Sequence, residues 1–378
     1  MKIRTIIGAA LFSVALFISA SAGAMTIERI GPVMAHPWGM DFLDRDTVLV
    51  TLRGGGLQRI NLADGSVTTI SGLPQVFDHR QGGMLDVMVD GPHLYLCYAA
   101  VLNGKSSTVI DRARLLGDAL VDRNTIFTGN NPTRSGHHFG CRMQVAGGML
   151  YASLGDRGDR DNAQDPVAHA GSVIRIGLDG TVPPGNPHPA GLADGWAPEI
   201  FSIGHRNPQG MAVHPATGDI WMHEHGPRGG DEINITRPSR DGGANYGWPT
   251  VSHGREYATS RRVSKHDSLP GYVDPVWVWD PSIAPSGMAF YPDAEDTNDT
   301  GKMFPEFQGH LLVGSLKFRR LYLVELDDES GLPASERVIL DGQIGRIRDV
   351  EVAPHGPHAG AILLLSDETQ GGLYMMRR

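Results

Sequence analysis

Several groups in this sequence have types and spacing suited to chemistry. In SIGHRNPQG, residues 202–210, His205, Arg206, Asn207 and Gln209 crowd together directly before the apolar run MAVHP. That density of donors exceeds what an ordinary turn needs, and it recurs. Gln81, His137 and His138, and Arg346 and Arg348 also stand at or just before apolar stretches. Singly, a histidine near a strand end is usually a satisfied turn residue, and arginines beside a strand are usually a solvated edge. Their shared position at strand starts carries the weight, because chance would scatter them over both strand ends. Three arginines and a lysine around one mouth would make an anion site, and planar bidentate guanidinium recognition suits carboxylates. The expected ligand is an organic polyacid.

A second constellation is EHGPRGGDEINI, residues 224–235, followed by NYGWP at 245–249. Gly226 and Pro227 expose backbone carbonyls in a turn, while Asp231 and Glu232 add carboxylate oxygens, an all-oxygen supply that hard cations such as calcium prefer. An acidic turn with a glycine bend has the same composition, so the residues alone leave both readings open. LGDRGDRDNAQDP, residues 154–166, is equally rich in Asp and Asn but matches no EF-hand spacing and reads as a charged loop.

The elements that must position these groups are strands. With 49 Gly, 25 Pro and many short apolar alternations, the chain reads as nearly all strand and turn. Six strand starts resemble one another: HPWG-MDF at 36, RQGG-MLDVMVD at 80, FGCR-MQV at 139, NPQG-MAVHP at 207, APSG-MAFYP at 284 and IRDVEVAPHG at 347. They recur at roughly 45 to 75 residues, most with a turn and a second strand behind them. This predicts an all-β, six-bladed β-propeller with four-stranded antiparallel blades, in which circular closure solves the edge-strand problem. Residues 26–30 would complete the last blade, and long insertions fall around 155–200 and 230–285. A pair of β-sandwiches is the alternative. In a propeller the first strand of each blade lies nearest the axis, so the loops before them share one channel mouth. Gln81, His137, His138, His205, Arg206, Asn207, Arg346 and Arg348 would ring one pocket, with His205 supporting its neighbours structurally.

Composition bounds the setting. Residues 1–24 have a basic start at Lys2 and Arg4, an apolar run from Ile6 to Ile18 and the small-residue ending Ala22-Gly23-Ala24, which reads as a secretory signal peptide before a single propeller domain over 25–378. No later stretch is apolar enough to span a bilayer, so a periplasmic protein without membrane insertion is expected. The net charge of −9 becomes −11 once Lys2 and Arg4 are lost, which argues against nucleic acid as a partner. Cys97 and Cys141 are the only cysteines, and their strand-like settings suggest two buried thiols rather than a bridge.

GHRNPQGMAVHPATGDIWMHEHGPRGGDEINI followed by NYGWP resembles the soluble aldose sugar dehydrogenases that depend on pyrroloquinoline quinone (PQQ), relatives of soluble quinoprotein glucose dehydrogenase. QGGMLDV, LGDRGDRDNAQDP, PSIAPSGMAFY, GSLK and RIRDV extend the likeness in order along the mature chain. The resemblance implies a six-bladed propeller holding PQQ, a planar tricarboxylate with an ortho-quinone, together with Ca2+. It implies that His138 is the general base that takes the proton of the sugar's anomeric hydroxyl, and that Arg206 and Asn207 lie against the quinone oxygens. Gln81, Tyr257, Lys317, Arg346 and Arg348 match cofactor-contacting positions. The carbonyls of Gly226 and Pro227 would ligate the cofactor's calcium, and Glu232 with the backbone of Tyr246 a separate structural calcium, although SRDGGA lengthens the loop between those two.

Two departures bear on specificity. His137 stands where the glucose dehydrogenase branch has Asp, and Arg157 where it has a Gln near the sugar, which favours the broader aldose branch. The expected activity is oxidation of aldose sugars to lactones, with electrons passed to an external acceptor of unknown identity. A calcium-dependent propeller lactonase and a non-catalytic sugar-binding propeller are the alternatives, and a basic ring around a polyacid separates the first reading from the lactonase.

Overall fold

The structure, a computed structural model, describes residues 24–187, 195–293 and 303–378. The signal peptide assigned to residues 1–24 therefore lies, up to position 23, outside the described residues. Among the described residues the chain forms six antiparallel sheets of four strands each. Their first strands are Pro37–Asp44, Met84–Asp90, Met143–Ala146, Pro208–Val213, Pro285–Phe290 and Ile347–Val352, and each packs beside the next around a central axis. These are the six repeats read from the sequence. The sixth blade is completed by Thr26–Met34, which pairs antiparallel with Gly371–Arg377. Sequence-distant ends thus share one sheet, which closes the ring and leaves no free radial edge. No helix among the described residues is long and apolar enough to cross a membrane.

The glycine that precedes Met in three of these strands has a steric cause. A side chain at Gly39 would meet Asp86, at Gly210 it would meet His223 and the Ser286 carbonyl, and at Gly287 it would meet Asp349. Inner strands of neighbouring blades approach too closely there for any Cβ. Register shifts fall at the starts of five inner strands, between Pro37 and Met40, Met84 and Asp86, Pro208 and Gly210, Pro285 and Met288, and Ile347 and Asp349. Such bulges re-aim the side chains at the rim, where the polar residues collect. Apolar residues from adjacent blades interlock between the sheets: Met40, Val48 and Val50 of the first blade pack with Leu363, Leu365 and Leu373 of the sixth.

Below the mouth, Arg142 is a hub on the axis. It bonds Asp86 at 3.0 Å, Asp349 at 2.7 Å and the Gln209 carbonyl at 2.8 Å, and stacks over Trp38. Asp349 in turn accepts from the Met40 N–H. One guanidinium therefore ties inner strands of five blades together. Burial pushes the Asp86 carboxyl up to about 7 against the pull of Arg142.

The cysteine expectation is corrected. Cys97 and Cys141 are joined in a disulfide with 5.7 Å between their Cα atoms, and both are fully buried. Cys97 lies in the second strand of blade two, and Cys141 precedes the first strand of blade three. Neither sequence neighbourhood indicates that circular packing brings them face to face.

Candidate functional site

The strand-start loops converge on two adjoining cavities at the channel mouth, of about 690 Å³ and about 420 Å³. Gln81, Asn207, His225, Ala284 and Lys317 line both, so they form one continuous depression. The outer part holds His137, His138, Arg206, Gly226, Pro227 and Tyr257, and the inner part Arg346, Arg348 and Asp367. Residues as far apart in the chain as Trp38 and Asp367 are thereby brought together.

His138 is held at several points. Its Nδ1 lies 2.6 Å from Asp156 Oδ1, and its backbone N–H donates to Gln81 Oε1 at 2.6 Å. Asp156, itself buried, also accepts from Gly158 N–H at 2.7 Å and from Trp248 Nε1 at 2.9 Å. Burial raises the Asp156 carboxyl, but the hydrogen bond and charge of His138, with Gly158 and Arg206, outweigh it and hold the group below its ordinary value. The Asp156 carboxylate thus orients the His138 ring through Nδ1. The local backbone is costly: φ is 51° at His138 and 81° at Cys141, a region where non-glycine residues pay for their Cβ. Surrounding bonds over-determine it. Thr108 Oγ1 donates to the Phe139 carbonyl at 3.0 Å, and Cys141 is anchored by its disulfide.

Arg157 does not line either cavity, although the resemblance puts it at a position near the sugar. Its guanidinium turns inward, donating to the carbonyls of His137 and Ser135 and to Ser106 Oγ, with its carbon 3.4 Å above the Phe139 ring. Burial pulls it down to about 10, and it braces the loop that carries His138. His137 keeps its place on the mouth, beside Arg80. His205 is not in the ring. It is fully buried between Ser202 Oγ and Glu224 Oε1 and stacks on Tyr246, which is the supporting role expected of it.

Arg206 donates to the carbonyls of His225 and Gly226, both at 2.8 Å, and packs over Trp248. Asn207 is buried, its Oδ1 accepting from Gln209 at 3.2 Å. Lys317 reaches the Ser282 carbonyl at 2.8 Å, and Arg348 bonds Asp367 at 2.8 Å and Gln209 at 3.1 Å. Arg346 stays half-buried, 3.9 Å from Asp367. The inner cavity thus collects Arg53, Arg80, Lys317, Arg346 and Arg348 against the single carboxylate of Asp367. Tyr257 is 61% exposed at the rim.

The 224–235 segment divides its work. Asp231 holds the turn itself, its carboxylate accepting from the N–H groups of Gly226 at 2.8 Å and Ala284 at 2.7 Å, so it is engaged as a structural clamp. A side chain at Gly226 would collide with Gly230, which is why this turn needs glycine. Glu232 sits across from Glu224, and removal from water together with that neighbouring charge pushes it up to about 8. Asn234 donates to both, while its buried Oδ1 has no partner. Tyr246 is buried with its hydroxyl on Thr236 and Ile235. Among the described residues no three His, Cys, Asp or Glu side chains are grouped to hold a metal.

Sequence reasoning passed over three groups. Asp156 and Trp248 are 92 residues apart and meet only in the fold, and LGDRGD carried no signal beyond charge. His225, inside the quoted EHGPR, lines both cavities and donates to the Pro285 carbonyl, while burial drives its imidazole down to about 3 and keeps it neutral.

The family described as Glucose / Sorbosone dehydrogenase matches residues 34–375. The chain is 35% identical over 366 residues to aldose sugar dehydrogenase YliI of Escherichia coli strain K12, covering 94% of this chain and 93% of that protein. The solved apo-form of the soluble aldose sugar dehydrogenase from Escherichia coli superposes with a TM-score of 0.83 at 34% identity, covering 93% of this chain and 99% of that one. A PQQ-bound aldose sugar dehydrogenase from Streptomyces coelicolor shares the fold, with a TM-score of 0.74 at 24% identity and coverage of 94% and 98%.

Proposed function

The chain belongs to the Glucose / Sorbosone dehydrogenase family, and from that premise we propose that it is a PQQ- and calcium-dependent dehydrogenase oxidising the C1 hydroxyl of aldose sugars to lactones. The observation that carries this reading is one depression in which a carboxylate-held histidine, His138, faces Arg206 above a floor of cations. A lactonase would need carboxylates around its metal, and the cationic floor suits a polyacid instead. The export reading of residues 1–24 is part of the same proposal and puts the enzyme in the periplasm.

The residues fit the cofactor. Lys317, Arg346 and Arg348 would hold its carboxylates, with Gln81 and Tyr257 along its edges and Arg206 and Asn207 against the quinone oxygens. When bound, PQQ supplies an ortho-quinone that accepts the hydride equivalent of C1. His138 Nε2 takes the hydroxyl proton, and Asp156 stabilises the imidazolium that results. Arg206, fixed by two carbonyls and stacked on Trp248, presents positive charge where negative charge develops and needs no reorganisation. Gly226 and Pro227 line the outer cavity; their carbonyls each accept one hydrogen bond, from Arg206 and Ser282, and would hold the cofactor's calcium through the remaining lone pair. The unpartnered Asn234 oxygen beside Glu224 and Glu232 supports a second cation there, which Glu232 would ligate together with the Tyr246 backbone that the family resemblance implies.

Adding PQQ and calcium to the purified apoprotein, then an aldose and a dye acceptor, should produce a cofactor spectral change and dye reduction. No change with any aldose would overturn the assignment. Arg346→Ala should weaken PQQ binding by about 10- to 100-fold, the worth of a charge-assisted hydrogen bond, with little loss of stability because Arg346 is only half-buried. An unaltered titration would remove it from the cofactor set.

A further inference from the structure

The charge around the mouth is opposite to that of the chain. Arg80 and Arg134 stand beside the loop of His137 and His138, and Arg228, Arg255 and Arg261 on the turn after Pro227 and the segment bridged to it, all exposed, in a protein of net charge −9. Arg228 lines the outer cavity, and its backbone bridges to Arg255, which bridges to Arg262, so residues 255–262 form a tip held against the mouth. Arg228 Nη1 also donates to Ser260 Oγ at 2.8 Å, and Tyr257 on the same tip lines the cavity. Arg80 reaches the mouth through His137, and Arg134 adjoins Ser135, whose hydroxyl accepts from His137 N–H.

None of these five arginines is ion-paired among the described residues, whereas others nearby are. Arg160 bonds Glu256 at 2.9 Å, and Arg262 pairs with Asp267. Asp280 and the buried Asp231 are the carboxylates lining the outer cavity among the described residues. Free cations therefore flank the outer cavity, by which an acceptor would reach the cofactor. They lie outside the inner cavity that would hold the cofactor's carboxylates, apart from Arg80.

Resting on the aldose dehydrogenase reading, we infer that this rim is a docking surface for an electron-transfer protein with an acidic face around its redox centre. Each aldose oxidised to a lactone releases two electrons and two protons. Two docked acceptors in turn take one electron each, and the protons pass to water. Complementary charge raises encounter rates by about 10- to 1000-fold and is screened by salt. An exposed aromatic, Tyr257, at the centre of the tip gives the partner a contact close to the cavity.

The test uses enzyme reconstituted with PQQ and calcium, saturating aldose, and two forms of one acceptor: native cytochrome c, which is basic, and fully succinylated cytochrome c, which is acidic. Reoxidation by the succinylated form should be the faster at low salt and should fall as salt rises. The double variant R255E/R261E should slow it about tenfold or more and speed the native form. Arg134→Glu, in the separate segment beside Ser135 and His137, should act in the same direction, so a misfolded double variant does not leave the question open. Turnover with an uncharged benzoquinone and the PQQ titration should not change in either variant. Equal salt dependence for the two cytochromes, oxidation by neither, or variants that alter PQQ binding instead would overturn the docking surface. Absence of benzoquinone turnover in the unmodified enzyme would overturn the dehydrogenase reading itself.

Discussion

Replacing His138 with Ala is expected to slow reduction of the bound cofactor by aldose by about 10²- to 10⁴-fold while leaving PQQ binding intact. The ring does the chemistry, and the backbone is held without it. Gln81 accepts from the His138 N–H, Thr108 bonds the next carbonyl, and Arg157 grips the carbonyls on either side of Gly136. Alanine keeps the same φ of 51° at the same cost, since histidine also carries a Cβ. The segment should therefore keep its path while the proton acceptor is lost. Stopped-flow spectra of the reduction step separate this from a binding defect. Reduction at the unmodified rate, with the cofactor bound, would remove His138 from the role of base.

The Cys97→Ala, Cys141→Ala double variant should be less stable by about 4 kcal/mol, the chain-entropy value for a closed loop of 44 residues. The bridge fastens the second strand of blade two to the start of blade three, between which runs the long 128–142 segment bearing His137 and His138. Equilibrium unfolding in urea, compared with the parent, measures the loss. Because Cys141 follows His138 by only three residues and has φ of 81°, turnover should fall as well, even well below the melting transition. An unchanged unfolding midpoint would mean that blade packing, not the bridge, holds these two segments together.

Much of the architecture was legible because it is written locally. Alternating apolar residues mark strands, and the Gly-Met junctions at 39–40, 210–211 and 287–288 mark places where inner strands nearly touch. The rim position of Gln81, His138, Arg206, Asn207, Arg346 and Arg348 followed from that repeat, since all precede or begin inner strands. Arg157 was misplaced because its chain position is at the mouth while its long side chain is free to choose direction, and burial over Phe139 with three oxygen acceptors draws it inward.

By itself, then, the sequence determined strand period, repeat number and which loops share a face, because these depend on neighbouring residues and on a recurring unit. Only the tertiary structure decided which distant groups touch: Asp156 with His138 and Trp248, Arg142 with Asp86 and Asp349, Cys97 with Cys141. Those contacts are set by the rotation from blade to blade and by closure of the ring through Thr26–Met34, and no local spacing encodes either.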